Sequence, residues 1–176
     1  RRPPSLLEQF GDGGRIRGAG SLALEQVRHG EIGVGATRGA GRGGLAVFQD
    51  DVADRIVLTP VLAATLRAQN LETTRVRGIE THGAWDLGGT RASLSATRLW
   101  PHDLTGGVRR VLPGVAERYG ALAVEQATSL ATVRATSRYQ SQAYRDLGNA
   151  VVVPAFWVHD LALDRTITVL DTVLDL

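Results

Sequence analysis

The sequence predicts an α+β domain: an antiparallel, glycine-rich sheet packed on one long or broken α-helix, with a C-terminal strand pair closing the core. Three observations carry this expectation. Short apolar pieces before residue 113 are separated by glycines at close intervals, as in successive hairpins. Gly114–Gly148 is rich in alanine and places Val115, Tyr119, Leu122, Gln126, Leu130 and Val133 near one helical stripe. The last stretch, Ala150–Leu174, is strongly apolar and broken only at Pro154 and Asp164-Arg165.

Arg1–Gly14 carries Pro3-Pro4 and a GDGG turn around Leu6, Leu7 and Phe10, and reads as an N-terminal arm. Residues 15–176 read as the single domain, since 176 residues suit one domain that removes about 70% of its surface from water. Arg15–Ala19, Ser21–Arg28, Glu31–Val34 and Gly44–Gln49 are β-like, with Ser21–Arg28 equally compatible with a short helix. Asp50–Asp54 is a turn feeding a strand at Arg55–Thr59, which Pro60 ends or confines to an edge. Val61–Gln69 reads as a short helix, and Thr73–Glu80 as a strand. His82–Leu87 and Thr90–Leu99 form a hairpin across Gly88-Gly89. In its second arm Ala92, Leu94, Ala96 and Arg98 share one face, and Ser93, Ser95, Thr97 and Leu99 the other. Asp103–Leu112 leads as a short helix into the long one. Pro113 suits a helix entry and Gly148-Asn149 a helix exit. A helix of that length, roughly 50 Å at 1.5 Å per residue, is too long for its own strands to cover. It is therefore broken, or covered by another chain.

Composition excludes several chemistries. There is no cysteine, so disulfides, thiolate metal sites and cysteine nucleophiles are ruled out. There is no methionine, and all 20 basic residues are arginine. The net charge of +2 does not point to nucleic-acid binding over the whole surface. No run of about eighteen apolar residues occurs, and the chain is expected to be soluble, in a virion or the cytoplasm, without membrane contact.

Candidate sites are few. His29, His82, His102 and His159 lack metal-ligand spacing. The acidic cluster Asp50, Asp51 and Asp54 lacks the further ligands of a calcium loop. No nucleophile elbow, P-loop or dinucleotide fingerprint is present. No catalytic residue, metal or cofactor is expected. The run GVGATRGAGRGG at Gly33–Gly44 can cradle a phosphate with backbone N–H groups, with Arg38 and Arg42 to pair with it. It resembles the glycine-rich loop of the RNA-binding RAMP proteins of CRISPR systems, which implies a nucleic-acid or phosphate contact at Arg38 and Arg42. Ser141–Pro154, SQAYRDLGNAVVVP, resembles the last conserved motif of DNA cytosine-C5 methyltransferases. That resemblance implies a helix bearing Tyr144, a turn at Gly148 and Asn149, and a contribution to an S-adenosylmethionine pocket. The family's nucleophile is a cysteine, so the implied protein is the C-terminal half of a split enzyme.

The leading expectation is a non-catalytic structural subunit of a larger particle, such as a virion or a phage head or tail. Its partners would be copies of itself or other subunits. Nucleic-acid binding, or the split methyltransferase, is the alternative.

Overall fold

The structure, a computed structural model, describes residues 1–62, 65–107, 109–169 and 172–175. It is almost entirely antiparallel sheet, with 67% strand and 5% helix, and this overturns the α+β expectation. In chain order the elements are a short helix α1 (Leu6–Phe10), β1 (Ile16–Arg17), β2 (Gln26–Arg38), β3 (Gly41–Leu62), β4 (Thr65–Asp86) and β5 (Thr90–Asp103). There follow a 3-10 turn at Thr105–Gly107, β6 (Arg110–Val111), β7 (Arg118–Ala127), β8 (Thr132–Gln140) and β9 (Ala143–Tyr144). The last elements are β10 (Val152–Val153), β11 (Phe156–Asp164), β12 (Thr166–Val169) and β13 (Thr172–Asp175).

The main sheet is a meander in the order β11-β8-β7-β5-β4-β3-β2. β1 adds in parallel to β4 at Leu66 and Arg67, and β6 pairs with the end of β5. The expected helix over Gly114–Gly148 is replaced by β7, β8 and β9. Its alanines are every-second-residue positions: Ala121 and Ala123 lie on one face of β7, and Leu122 and Val124 on the other. Val61–Gln69 is likewise no helix; its described residues belong to β3 and β4, and residues 63 and 64 lie outside the described set. The C-terminal strands do not pair as expected either. β11 pairs with β8, while β12 and β13 pair with each other.

The hairpin across Gly88-Gly89 forms as read, with φ of 61° and 100° at the two glycines. The faces of β5 are also as read. Directly opposed residues in antiparallel strands share a face, so the strand register sorts the sheet into two faces. The first carries Ile32, Val34, Leu45, Val47, Ile79, Trp85, Leu94, Leu122, Val124, Trp157, Leu161 and Leu163. All twelve of these side chains are exposed, Ile32 and Leu161 each at 78%. The second face carries Gly33, Gly35, Phe48, Gly78, Ser93, Ser95, Ala121, Ala123, Thr136 and Arg138 at the same levels. A Cβ at Gly78 would collide with the Phe48 ring opposite it, so that close cross-strand packing requires glycine.

The two ends of the meander differ. At one end the strands are joined by tight turns at Gly39-Ala40, Leu87–Gly89 and Thr128–Ala131. At the other end β3 and β4, 22 residues each, run well past their neighbours, and longer connections link β5 to β7 and β8 to β11. Among the described residues a conventional core forms only here. Val52, Ile56, Ala68, Leu71, Leu112, Ala116 and Ala143 are buried, with Thr74, Pro101 and Asp103. Val52, Ile56, Ala68, Thr74, Pro101 and Asp103 all belong to the second face. Most apolar residues of β3 and β4 thus change sides along the strand, near Gln49–Asp51, with Leu71 buried on the first face as the exception.

Candidate functional site

The second face is chemically a water-facing wall. Arg134 Nε and Nη2 donate to Glu125 Oε2 at 2.9 and 2.5 Å, and Arg138 Nη2 donates to Asp160 Oδ2 at 2.7 Å. Arg91 Nη2 lies 3.3 Å from Asp86 Oδ2, and His29 Nδ1 lies 2.6 Å from Asp50 Oδ1. All of these side chains fall on the same side of the sheet as Ser93, Ser95 and Thr97. Charged groups left in hydrocarbon cost several kcal/mol each, so this side faces water. The opposite side, in the same strands, is a band of exposed leucine, isoleucine, valine and tryptophan. Apolar-out and polar-in alternation, short turns at one end and long connections at the other define the wall of a membrane-spanning β-barrel.

An open groove runs along the polar wall between β5, β7, β8 and β11. Thr97, Tyr119, Arg138, Gln140, Phe156 and Val158 line it. It combines aromatic surface, amide and hydroxyl groups, and a guanidinium whose charge Asp160 partly balances. Such a surface suits a polar, partly aromatic, anionic ligand.

The comparisons agree with this geometry. The sequence pattern of the family described as "TonB dependent receptor-like, beta-barrel" matches residues 1–172, and the chain belongs to that family. No curated protein matches. Among solved structures, the copper transporter OprC superposes with a TM-score of 0.71 at 15% identity, over 95% of this chain and 27% of OprC. BauA, the ferric preacinetobactin receptor from Acinetobacter baumannii, gives 0.69 at 19% identity, over 84% of this chain and 24% of BauA. The ferric citrate transporter FecA, in its unliganded form, gives 0.66 at 19% identity, over 83% of this chain and 24% of FecA. The chain spans about a quarter of the length of these structures. At these identities they show the shared fold.

These findings correct four expectations. The chain is not a virion, capsid or phage subunit, nor a nucleic-acid-binding or methyltransferase fragment; it is barrel wall of the receptor family. Absence of membrane contact and a soluble virion or cytoplasmic location are both overturned, because the family's proteins are outer-membrane β-barrels. No helix among the described residues is long and apolar enough to cross a membrane, which leaves crossing by strands untouched.

Arg38 and Arg42 flank the tight turn between β2 and β3, paired with Gly41 and Thr37, and fall on opposite faces of the sheet. Gly148 and Asn149 lie in the connection between β8 and β11. Asn149 has φ of 56°; its Oδ1 accepts from Val111 N–H at 3.0 Å, and its Nδ2 donates to Val111 O at 2.9 Å. Asp146 accepts from the Ala150 and Val151 N–H groups at 3.0 and 2.6 Å, and these bonds hold its carboxyl below the usual range. The three aspartates disperse. Asp50 meets His29, Asp51 Oδ1 accepts from Arg75 Nε at 2.5 Å, and Asp54 adopts a φ of 56°. Among the described residues no group of three metal-ligating side chains forms.

The long-connection end is tied by Glu25. Its Oε2 accepts from Arg2 Nε at 2.5 Å and its Oε1 from Ile56 N–H at 2.7 Å. Burial alone would raise the Glu25 carboxyl, but these donors outweigh it and hold it below the ordinary value. Sequence alone did not single out the groove residues Tyr119 and Arg138; Tyr119 was expected on a helix stripe. The signal present was the strict alternation of β7 and β8 once a period of two is applied.

Proposed function

We propose that this chain forms part of the wall of an outer-membrane receptor that imports a chelated metal or metal ion, energised through TonB. The observation that carries the reading is the two-sided sheet: a mainly apolar outer band, interrupted at Ser137 and His159, backed by an ion-paired inner wall, in a chain of the receptor family. The names of the similar structures, a copper transporter, a ferric preacinetobactin receptor and a ferric citrate transporter, support metal cargo. The short turns face the periplasm and the long connections the exterior, as in other barrels of this type. The groove at Tyr119, Arg138 and Phe156 then meets cargo on its way through the lumen.

The test is uptake of radiolabelled ferric chelates and copper by cells expressing the full-length protein in a strain lacking its own receptors. Uptake is expected only when TonB is present. Tyr119→Ala with Arg138→Ala is expected to weaken cargo binding about tenfold, the order expected for one lost charge-assisted contact. A correctly embedded protein that takes up none of these cargoes overturns the reading.

A further inference from the structure

The outer face does not stop at the apolar band. One outward position beyond Ile79, roughly 7 Å further along β4, stands Arg77, and one position beyond that stands Arg75. On neighbouring strands the register puts Arg28 level with Arg75, and Arg98 and Arg118 level with Ile79 at the edge of the band, all on the outward face. Asp51 is the one acid at these outward strand positions among the described residues, and it is already paired with Arg75. The inner wall behaves differently, since Arg91, Arg134 and Arg138 are each paired with an acid. A one-sided excess of guanidinium just outside a hydrocarbon band is placed where phosphate headgroups lie.

Within the rim one cleft is formed for an anion. Arg75, Arg77, Trp100, His102, Leu104 and Arg109 line it. Arg109 Nη2 lies 2.5 Å from His102 Nε2, a geometry in which the imidazole accepts and is therefore neutral. Burial first, and the charge of Arg109 next, push the His102 imidazole below its ordinary value, and Arg77 acts in the same direction. Glu117 is the one acid that opposes them, and it is engaged 3.2 Å from Arg98. Arg77 Nε donates to the neutral Gln49 at 2.8 Å. Trp100, with the Arg98 guanidinium 5.5 Å from its ring centre, supplies the amphipathic ring that favours the membrane–water interface.

We propose that this cleft binds a phosphate of an anionic lipid headgroup in the leaflet at the long-connection end, with Arg77 and Arg109 as the paired donors. Guanidinium suits this task because its fork meets phosphate oxygens in pairs and keeps its charge at all working pH values. The apolar band below the cleft meets the acyl chains. The inference rests on the membrane placement in the preceding proposal, but not on the identity of any cargo.

The test uses the full-length protein in phosphatidylcholine nanodiscs doped with bis-phosphorylated lipid A, with bound lipid counted by native mass spectrometry. Room-temperature resistance to dodecyl sulfate reports barrel folding in each sample. The wild type is expected to retain lipid A, and to retain the dephosphorylated glycolipid at least tenfold less. Arg77→Ala with Arg109→Ala is expected to lose lipid A at least tenfold, while Arg165→Ala at the short-turn end retains it. Equal retention of the phosphorylated and dephosphorylated lipids by the wild type overturns the proposal even if the double variant does not fold. Equal retention by wild type and a folded double variant also overturns it. In both cases the wild type is embedded, so the receptor reading stands; a wild type that does not enter nanodiscs overturns both.

Discussion

The two halves of β3 and β4 solve opposite problems with the same strand. Between Gly41 and Val47, and between Ile79 and Trp85, the large apolar side chains point outward and are exposed, while Gly44, Ala46 and Ala84 line the inner face beside Arg42, Glu80 and His82. Past Gln49–Asp51 the arrangement inverts, and Val52, Ile56, Ala68 and Thr74 are buried on the inner face beneath the connections. The first half has hydrocarbon as its solvent and needs no core. The second stands in water and builds one. The phase of the apolar alternation, not its amount, marks where the surroundings change.

A charge on the outer band tests the first half most severely. Leu94→Arg is expected to destabilise the full barrel by about 2–4 kcal/mol in lipid, whereas Ser95→Arg, one residue along on the inner wall, is expected to cost well under half as much. Denaturant unfolding in lipid vesicles reads both. Equal costs at 94 and 95 would erase the distinction between the faces.

In the water-exposed half, Asn149→Ala is expected to loosen the connection between β8 and β11. Two hydrogen bonds of about 1 kcal/mol each are lost, and alanine tolerates the positive φ less well than asparagine. The readout is hydrogen exchange at the Val111 amide, which is expected to accelerate while amides in β7 stay protected. Unchanged exchange at Val111 would mean that the connection is held by other contacts.

The smallest effect concerns Asp146. Its folded pKa is depressed, mainly by the Val151 N–H, so the stabilisation is present above the unfolded carboxyl value of about 3.9 and is lost as pH falls through the folded one. Protection of Val151, corrected for intrinsic exchange, is therefore expected to hold from pH 7 down to about pH 4 and to drop below it, while Asp146→Asn shows no such drop.

Parts of the fold were legible before the structure. The Gly88-Gly89 hairpin and the two faces of β5 follow from glycine punctuation and the alternation of Ala92, Leu94 and Ala96 with Ser93, Ser95 and Thr97. The sense of that alternation was not legible, because an apolar face reads as inward when water is assumed to be the solvent. The same assumption produced the helix. In a soluble protein Ala121, Ala123, Leu122 and Val124 together look like core, and alanine favours helix. In a barrel wall small residues face inward while large ones meet lipid, so two apolar classes alternate and mask a period of two. The site was hidden for a related reason: Arg138 and Asp160 are far apart in sequence and meet only across the β8–β11 pairing.

The path β11-β8-β7-β5-β4-β3-β2 has one further consequence, which is one of parity. Six antiparallel steps separate β2 from β11, so the two edge strands run in the same direction. Seamed directly to each other in one molecule, they would form a parallel pair. A ring that is antiparallel throughout must place an odd number of strands between them. With the seven strands of the path, that odd number makes an even total, as in the single-chain barrels of the bacterial outer membrane.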